Sequence, residues 1–420
     1  MKIGVVTDYY PADYKPYYDA QFAQFVRDGH EITIMALDTL GSASKAVRDY
    51  RLAEKTRPYP RSLRDVPRQV LRVVRQLARR PRYCARTARV ALRLGGSIRS
   101  RVADWVRMLC LPDDEQDFWL IQNLPAGVMF PWLRRVYPTT PIALYFHGGE
   151  IPRFQRELSA VRVTALLDQC TVVFTNTNAS KSQIVDRGCD STKVAVLPVG
   201  FDLQAFAEGS SRAYRPDGLL RLVTAGRLSE EKGVHIALEA VRDLVHSGMS
   251  FLRFTIIGDG YVRTQLEHFV DENSLRNHVK FLGVLSWEAT VREFEAADVL
   301  LLPSIPVGRW VETQACVVQE ALLVRTPTIT SAIGGVVESI PENMRQFSLP
   351  PGDPLALAGA IRSLALLTPD ELSALGSAGR NWAEARYDIK TLNARLIEIA
   401  TGTVRELRAD DPHGTASSTD

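Results

Sequence analysis

Cysteine is scarce in this chain: there are 5 in 420 residues, an odd number, with no Cys-x-x-Cys pair. That excludes a disulfide framework and a zinc site of ordinary spacing, and it suits a reducing cytosol. No apolar run approaches the roughly 18 residues that span a bilayer. The opening Met1–Asp8 reads as a strand rather than a signal peptide, because its short apolar run ends in an acid. No Gly-x-Gly-x-x-Gly follows that strand, which argues against a dinucleotide-dependent oxidoreductase. What remains is ordinary for a soluble globular protein, with 45% hydrophobic and 24% charged residues and a net charge of +3. The length suggests two or three domains, each with its own core.

Acidic residues are nearly missing from one stretch. Residues 61–107 hold fourteen arginines against two aspartates, Asp65 and Asp104. Within 64–79 the arginines at 64, 68, 72, 75 and 79 share one helical face. Leu63, Val66, Val70, Val73, Val74 and Leu77 share the other, and Pro81 interrupts the helix. A second pattern follows through Val90, Leu94, Ile98, Val102 and Val106. A basic amphipathic helix suits an anionic membrane surface, and equally a solvated arginine face on a packed insertion. Nucleic acid is disfavoured, since no interleaved aromatics offer bases a place to stack.

Around this insertion the chain alternates strands and helices. Residues 3–7, a helix over 19–28 and a strand from Glu31 to Leu37 make a βαβ start. Further strands are expected at Phe118–Gln122, Ile142–Phe146, Thr171–Thr175 and Val194–Pro198. A second set begins near Leu222, with strands at Phe254, Val279–Gly283, Ala297–Leu302 and Thr326–Thr330. The expected fold class is α/β with two doubly wound domains. The first spans 1–198 and the second 199–378; C-terminal helices at 379–408 return to the first, and 409–420 form a polar disordered tail.

The chemistry concentrates in the second set. Gly226-Arg227-Leu-Ser-Glu-Glu-Lys232-Gly233 follows a buried strand and precedes a helix from Val234 to Leu244. Two cations beside a helix N-terminus make a diphosphate site. Glu312 and Glu320 stand eight positions apart, the first in a loop and the second opening an apolar helical run. A carboxylate accepts from vicinal hydroxyls, so the pair suits a clamp on an extended polar ligand with sugars at both ends.

The ordered set GRLSEEKG, IIGDG, VKFLG, ADVLLLPS, ETQACVVQEAL and TPTITSAIGG, over roughly 197–340, resembles the nucleotide-binding half of glycosyltransferase family 4, retaining enzymes of the GT-B fold. The resemblance implies transfer of a sugar from a nucleotide-diphosphate donor to an acceptor hydroxyl. It implies that Arg227 and Lys232 stabilise the leaving diphosphate, that Glu320 binds the ribose and that Glu312 faces the transferred sugar. Thr313, Gln314, Ala315 and Cys316 would follow along the sugar, where the family's glycine-rich and aromatic residues are replaced. Gly258, Leu282 and Gly283 would line the nucleotide, with the base near Phe281–Leu285, and amides near Gly334–Gly335 would approach the donor. His147 would bond a sugar hydroxyl from the first domain, with Glu150 beside it. No Asp-x-Asp occurs in the chain, so no metal and no cofactor are expected.

The acceptor side is less specified. Relatives often carry a glycine pair after the first strand, whereas here Tyr9 to Asp19 holds five tyrosines and no glycine. They could stack on an acceptor or simply pack. This loop and the basic insertion resemble exopolysaccharide transferases, which use lipid-linked acceptors at the inner face of the membrane. A soluble natural product is the alternative acceptor, and a non-catalytic binding protein or an epimerase are the lesser alternatives.

Overall fold

The strands are short apolar runs such as FWLI, IALYF and VLLL, buried on both faces, and such runs build parallel sheets flanked by helices. In the computed structural model they assemble into two all-parallel sheets. The described residues are 1–11, 16–38, 44–62, 64–65, 70–112, 114–148, 160–206, 214 and 217–402. Glu150, Tyr14 and the expected tail lie outside them.

The first sheet contains β1 (Lys2–Tyr9), β2 (Glu31–Asp38), β3 (Thr56–Pro58), β4 (Phe118–Ile121), β5 (Ile142–Phe146), β6 (Val172–Thr175) and β7 (Val194–Val196), in the order β3-β2-β1-β4-β5-β6-β7. The second contains β8 (Leu220–Ala225), β9 (Leu252–Ile257), β10 (Val279–Gly283), β11 (Val299–Leu302), β12 (Thr328–Ser331) and β13 (Ser348–Leu349), in the order β10-β9-β8-β11-β12-β13. This is the GT-B arrangement of two Rossmann-like lobes. In each sheet the chain order reverses between two adjacent strands, β1 and β4 in one and β8 and β11 in the other. Ligands bind beyond the carboxyl ends of strands at such points. The edge strands β3 and β13 escape a sequence reading because they are only three and two residues long.

The helices that matter below are α1 (Pro16–Arg27), α2 (Val70–Arg79), α3 (Pro81–Leu92), α4 (Ile98–Cys110), α5 (Ala160–Gln169), α6 (Asn178–Val185), α7 (Val234–His246), α8 (Trp287–Ala296), α9 (Cys316–Leu323), α10 (Pro369–Tyr387) and α11 (Ile389–Thr401). Two expectations change. The apolar pattern from Val90 to Val106 is two helices, since Gly95 and Gly96 break it between α3 and α4. The boundary expected at 378 falls inside α10, which starts on a Thr368–Glu371 capping box and runs on to Tyr387. The chain hands over at Asp388, which caps α11. Leu392, Leu396 and Ala400 of α11 then join the first lobe's core, and Asn393 Nδ2 donates to the Gln21 carbonyl of α1 at 3.0 Å.

Candidate active site

The site grows from the turn between β8 and α7. Glu230–Lys232 form one 3₁₀ turn and Gly233 closes it at φ +63°. A Cβ on Gly233 would lie 1.9 Å from the Pro303 carbonyl oxygen, so only glycine permits this approach. The Ile305 N–H donates to the Glu231 carbonyl at 2.9 Å. The turn is thereby pinned onto the segment after β11, which leads to Trp310 and Glu312.

Two sequence-distant charges meet there. Lys232 Nζ lies 2.5 Å from Glu312 Oε2, and Ser304 Oγ donates to the same oxygen at 3.1 Å. The ammonium also sits 5.3 Å from the centre of the Trp310 ring. Both side chains are largely screened from water, at 23% and 10% exposure. Arg227 occupies the same turn but stands at the rim, 61% exposed and 3.9 Å from Glu231.

Glu320 is not at a helix start. It is the fifth residue of α9, which begins at Cys316, and it is buried. Its Oε1 accepts from Trp287 Nε1 of α8 at 3.0 Å. Burial raises its pKa to about 7, against the opposing pull of that indole N–H. Burial and the carboxylates of Glu320 and Glu312 push the Cys316 thiol well up, which removes it as a nucleophile. Neither α7 nor α9 has a side-chain cap; the Ile236 and Val318 N–H groups donate back to the Gly233 and Ala315 carbonyls at 2.9 and 2.8 Å, and the first two N–H groups of each helix are left for ligand oxygens.

Gln314 departs from the expectation of a sugar contact. Its Oε1 accepts from the Val199 N–H at 2.6 Å and its Nε2 donates to the Val199 carbonyl at 2.9 Å. Both ends of the amide are spent fixing the inter-lobe connection. Thr313 Oγ1 donates to the His147 carbonyl at 3.0 Å, so it joins the lobes as well. The Gly335 N–H is likewise committed, to the Glu312 carbonyl at 3.0 Å, and that loop shapes the Glu312 backbone instead of presenting this amide. A Cβ on Gly335 would meet the Thr177 side chain at 2.6 Å, which explains its size. Gly258, Leu282 and Gly283 lie at the carboxyl ends of β9 and β10, where the Gly258 N–H donates to the Gly283 carbonyl at 2.7 Å.

Across the cleft, His147 follows β5. Its ring stacks on Tyr145, with centroids 4.5 Å apart, and lies 5.5 Å from Tyr17 and 5.9 Å from Tyr18. The tyrosine loop is thus partly packing: Tyr10 and Tyr18 are fully buried, while Tyr9 and Tyr17 stay half-buried near the cleft. Glu338 closes the lobes further. Its carboxylate accepts from the Asn178 N–H (2.8 Å), Asn178 Nδ2 (3.0 Å) and the Ala179 N–H (3.0 Å) at the start of α6. Sequence reasoning missed Trp287, Ser304, Trp310 and Glu338. Only Ser304 lay inside a quoted motif.

Residues 211–382 match the family described as glycosyl transferases group 1. The colanic acid biosynthesis glycosyltransferase WcaL of Escherichia coli K12 is 25% identical over 412 residues, covering 95% of this chain and 99% of WcaL. These similarities identify the chain as a glycosyltransferase, with the group 1 match confined to its second lobe. The transferase is also 28% identical over 257 residues to the amylovoran biosynthesis glycosyltransferase AmsK of Erwinia amylovora, covering 60% of this chain and 62% of AmsK. Its fold matches that of Anabaena HepE in complex with UDP, with a TM-score of 0.66 and 17% identity over 96% of this chain and 99% of that one. The described residues of the transferase hold no cluster of three His, Cys, Asp or Glu side chains suited to a metal.

Proposed function

We propose that the enzyme transfers a sugar, with retention at the anomeric carbon, from a nucleotide-diphosphate sugar to a hydroxyl of a lipid-linked saccharide. The observation that carries the donor reading is the Lys232–Glu312 pair at the β8/β11 reversal, beside the first two N–H groups of α7. In the Lys232–Glu312 pair each charge neutralises the other. A donor exchanges both partners: Lys232 turns to the diphosphate and Glu312 accepts from sugar hydroxyls, held by Ser304. Glu320 accepts from the ribose. As the glycosidic bond breaks, charge builds on the β-phosphate, and Lys232, Arg227 and the α7 amides meet it with little rearrangement. No divalent metal is required on this reading.

His147 presents its ring from the acceptor lobe, with Tyr9 and Tyr17 flanking the acceptor. The nucleophile is the acceptor hydroxyl, attacking the face the diphosphate leaves and giving its proton to the departing phosphate oxygen. No protein group forms a covalent intermediate. The names of WcaL and AmsK favour polysaccharide assembly, and HepE favours UDP as the nucleotide. The test is a panel of nucleotide sugars, with and without lipid extract, scored for released diphosphate and for the product anomer by proton NMR. Release that depends on lipid acceptor, with the donor's anomer kept and a chelator without effect, supports the reading. An inverted anomer, or activity lost to the chelator, overturns that part of it.

A further inference from the structure

We infer that the arginine-rich insertion is a docking surface for an anionic lipid bilayer, held rigidly against the acceptor lobe. The inference names the surface at which the proposed lipid-linked acceptor is met, and rests on the transfer reading for that acceptor alone.

The first observation is that α2 packs the wrong way round for an ordinary surface helix. Leu71, Val74 and Leu77 are 88%, 56% and 42% exposed, whereas Gln76 is only 8% exposed. At about 100° per residue these three apolar side chains form one outward stripe, with Arg75 and Arg79 beside it. Leu92 and Ile98, on either side of the Gly95–Gly96 break, are also exposed, at 70% and 76%. An apolar stripe edged by cations is what lies flat in a lipid interface, its carbon side chains among acyl chains and its guanidinium groups on phosphates.

The second observation is charge. Nine arginines of the insertion are exposed (61, 64, 75, 79, 82, 86, 89, 93 and 99), and no described acid between 61 and 107 is. A second copy of this chain would bring cations against cations, which disfavours self-association through this face. Nucleic acid fits poorly too. Tyr83 lies between Arg80 and Arg86, with ring-centre distances of 4.4 and 5.6 Å, and its hydroxyl donates to the Met108 carbonyl at 2.9 Å. Trp105 donates inward to the Cys84 carbonyl at 3.3 Å. The aromatics are turned away from any base.

The third observation is the fastening. Buried Asp104 of α4 accepts from Arg107 at 2.7 Å and from Arg162 of α5 at 3.0 Å. Arg107 Nε also donates to the Pro60 carbonyl at 2.9 Å. Both ends of the insertion are thereby tied to α5, the helix that follows β5 and His147 in the chain. Docking of the insertion therefore orients the acceptor lobe.

The full chain is to be sedimented with phosphatidylcholine vesicles, with and without phosphatidylglycerol. We expect partitioning onto the anionic vesicles that weakens with salt. The triple change Leu71→Ser, Val74→Ser and Leu77→Ser should lower it by roughly a hundredfold or more. Arg75→Ala and Arg79→Ala should each lower it about fivefold. Circular dichroism and donor hydrolysis in solution should not change, since these side chains touch neither core nor site. The inference is overturned by equal sedimentation of the triple variant and the parent, or by no preference for anionic lipid. It is also overturned if RNA is bound more tightly than vesicles, or if the apolar changes dissociate a dimer without affecting vesicle binding. No binding of the parent protein to anionic vesicles, with its donor turnover intact, sinks this surface alone. Vesicle binding kept with no turnover of any nucleotide sugar sinks the transfer reading alone.

Discussion

The turns after β1 and after β8 occupy the same place in two sheets of the same topology, yet they are built from opposite materials. The β8 turn is short and charged, with Gly226 and Gly233 at its ends, and it lets backbone and Lys232 approach a small anion. The β1 turn has tyrosines instead of glycines, and Tyr10 packs on Phe22 at 4.9 Å while Tyr18 donates to the Gln122 carbonyl at 3.1 Å. On the proposed function the β8 turn meets a diphosphate, which is the same in every such donor and can be reached through fixed backbone geometry. An acceptor differs from enzyme to enzyme, so its side is shaped by side chains.

The comparison breaks hardest at the charged turn. Lys232→Met and Glu312→Gln should each reduce turnover roughly a hundredfold to a thousandfold. The double variant should lose little more than either alone, because the two act on one donor. Steady-state kinetics over a series of donor concentrations checks both. Tyr17→Phe, in the opposite turn, should change kcat less than threefold or so, since the ring remains in place.

Backbone is the next difference. Gly233→Ala should destabilise the second lobe by about 3 kcal/mol or more, because of its positive φ and its contact with the Pro303 carbonyl. Gly29→Ala, at φ +79° with open space around it, should cost only about 1 kcal/mol. Thermal melts of the two variants separate these effects.

Glu320 sharpens the comparison through pH. Its folded pKa of about 7 lies above the ordinary carboxylate value, so between roughly pH 4.5 and 7 the folded state holds a proton that the unfolded state has lost. Stability from this group therefore falls as pH rises through that window and is level above it. Glu320→Gln should raise stability at pH 8 by on the order of 2 kcal/mol, and by little at pH 5. The same change should weaken nucleotide binding. In the parent protein, affinity should fall as pH drops below about 7, when the carboxylate proposed to accept from the ribose becomes protonated.

The smallest effect is expected between the lobes. Glu338→Gln weakens charge-assisted bonds to the start of α6 by about 1 kcal/mol. Small-angle scattering should then report a more open average shape.

Much of the second lobe was legible because its needs are local. A glycine that only glycine can satisfy, a cation at a helix start and apolar strand runs all leave marks in adjacent residues. Lys232 and Glu312 were each legible, but their pairing was not, since it depends on the turn after β8 resting on the segment after β11. Gln314 misled for the same reason: its partner Val199 is distant in sequence. Trp287 and Glu338 act through single bonds across tertiary contacts, which no periodicity records. The exposed stripe on α2 was also hidden, because an amphipathic pattern says which residues share a face and not which face is covered.

On the proposed function, Lys232 releases Glu312 to hold the diphosphate of the donor. Titration calorimetry of UDP and GDP against the parent protein and Lys232→Met tests it most directly. The preferred nucleotide should bind at least about tenfold more weakly to the variant, with its release of heat reduced. Equal affinity for both proteins would contradict it.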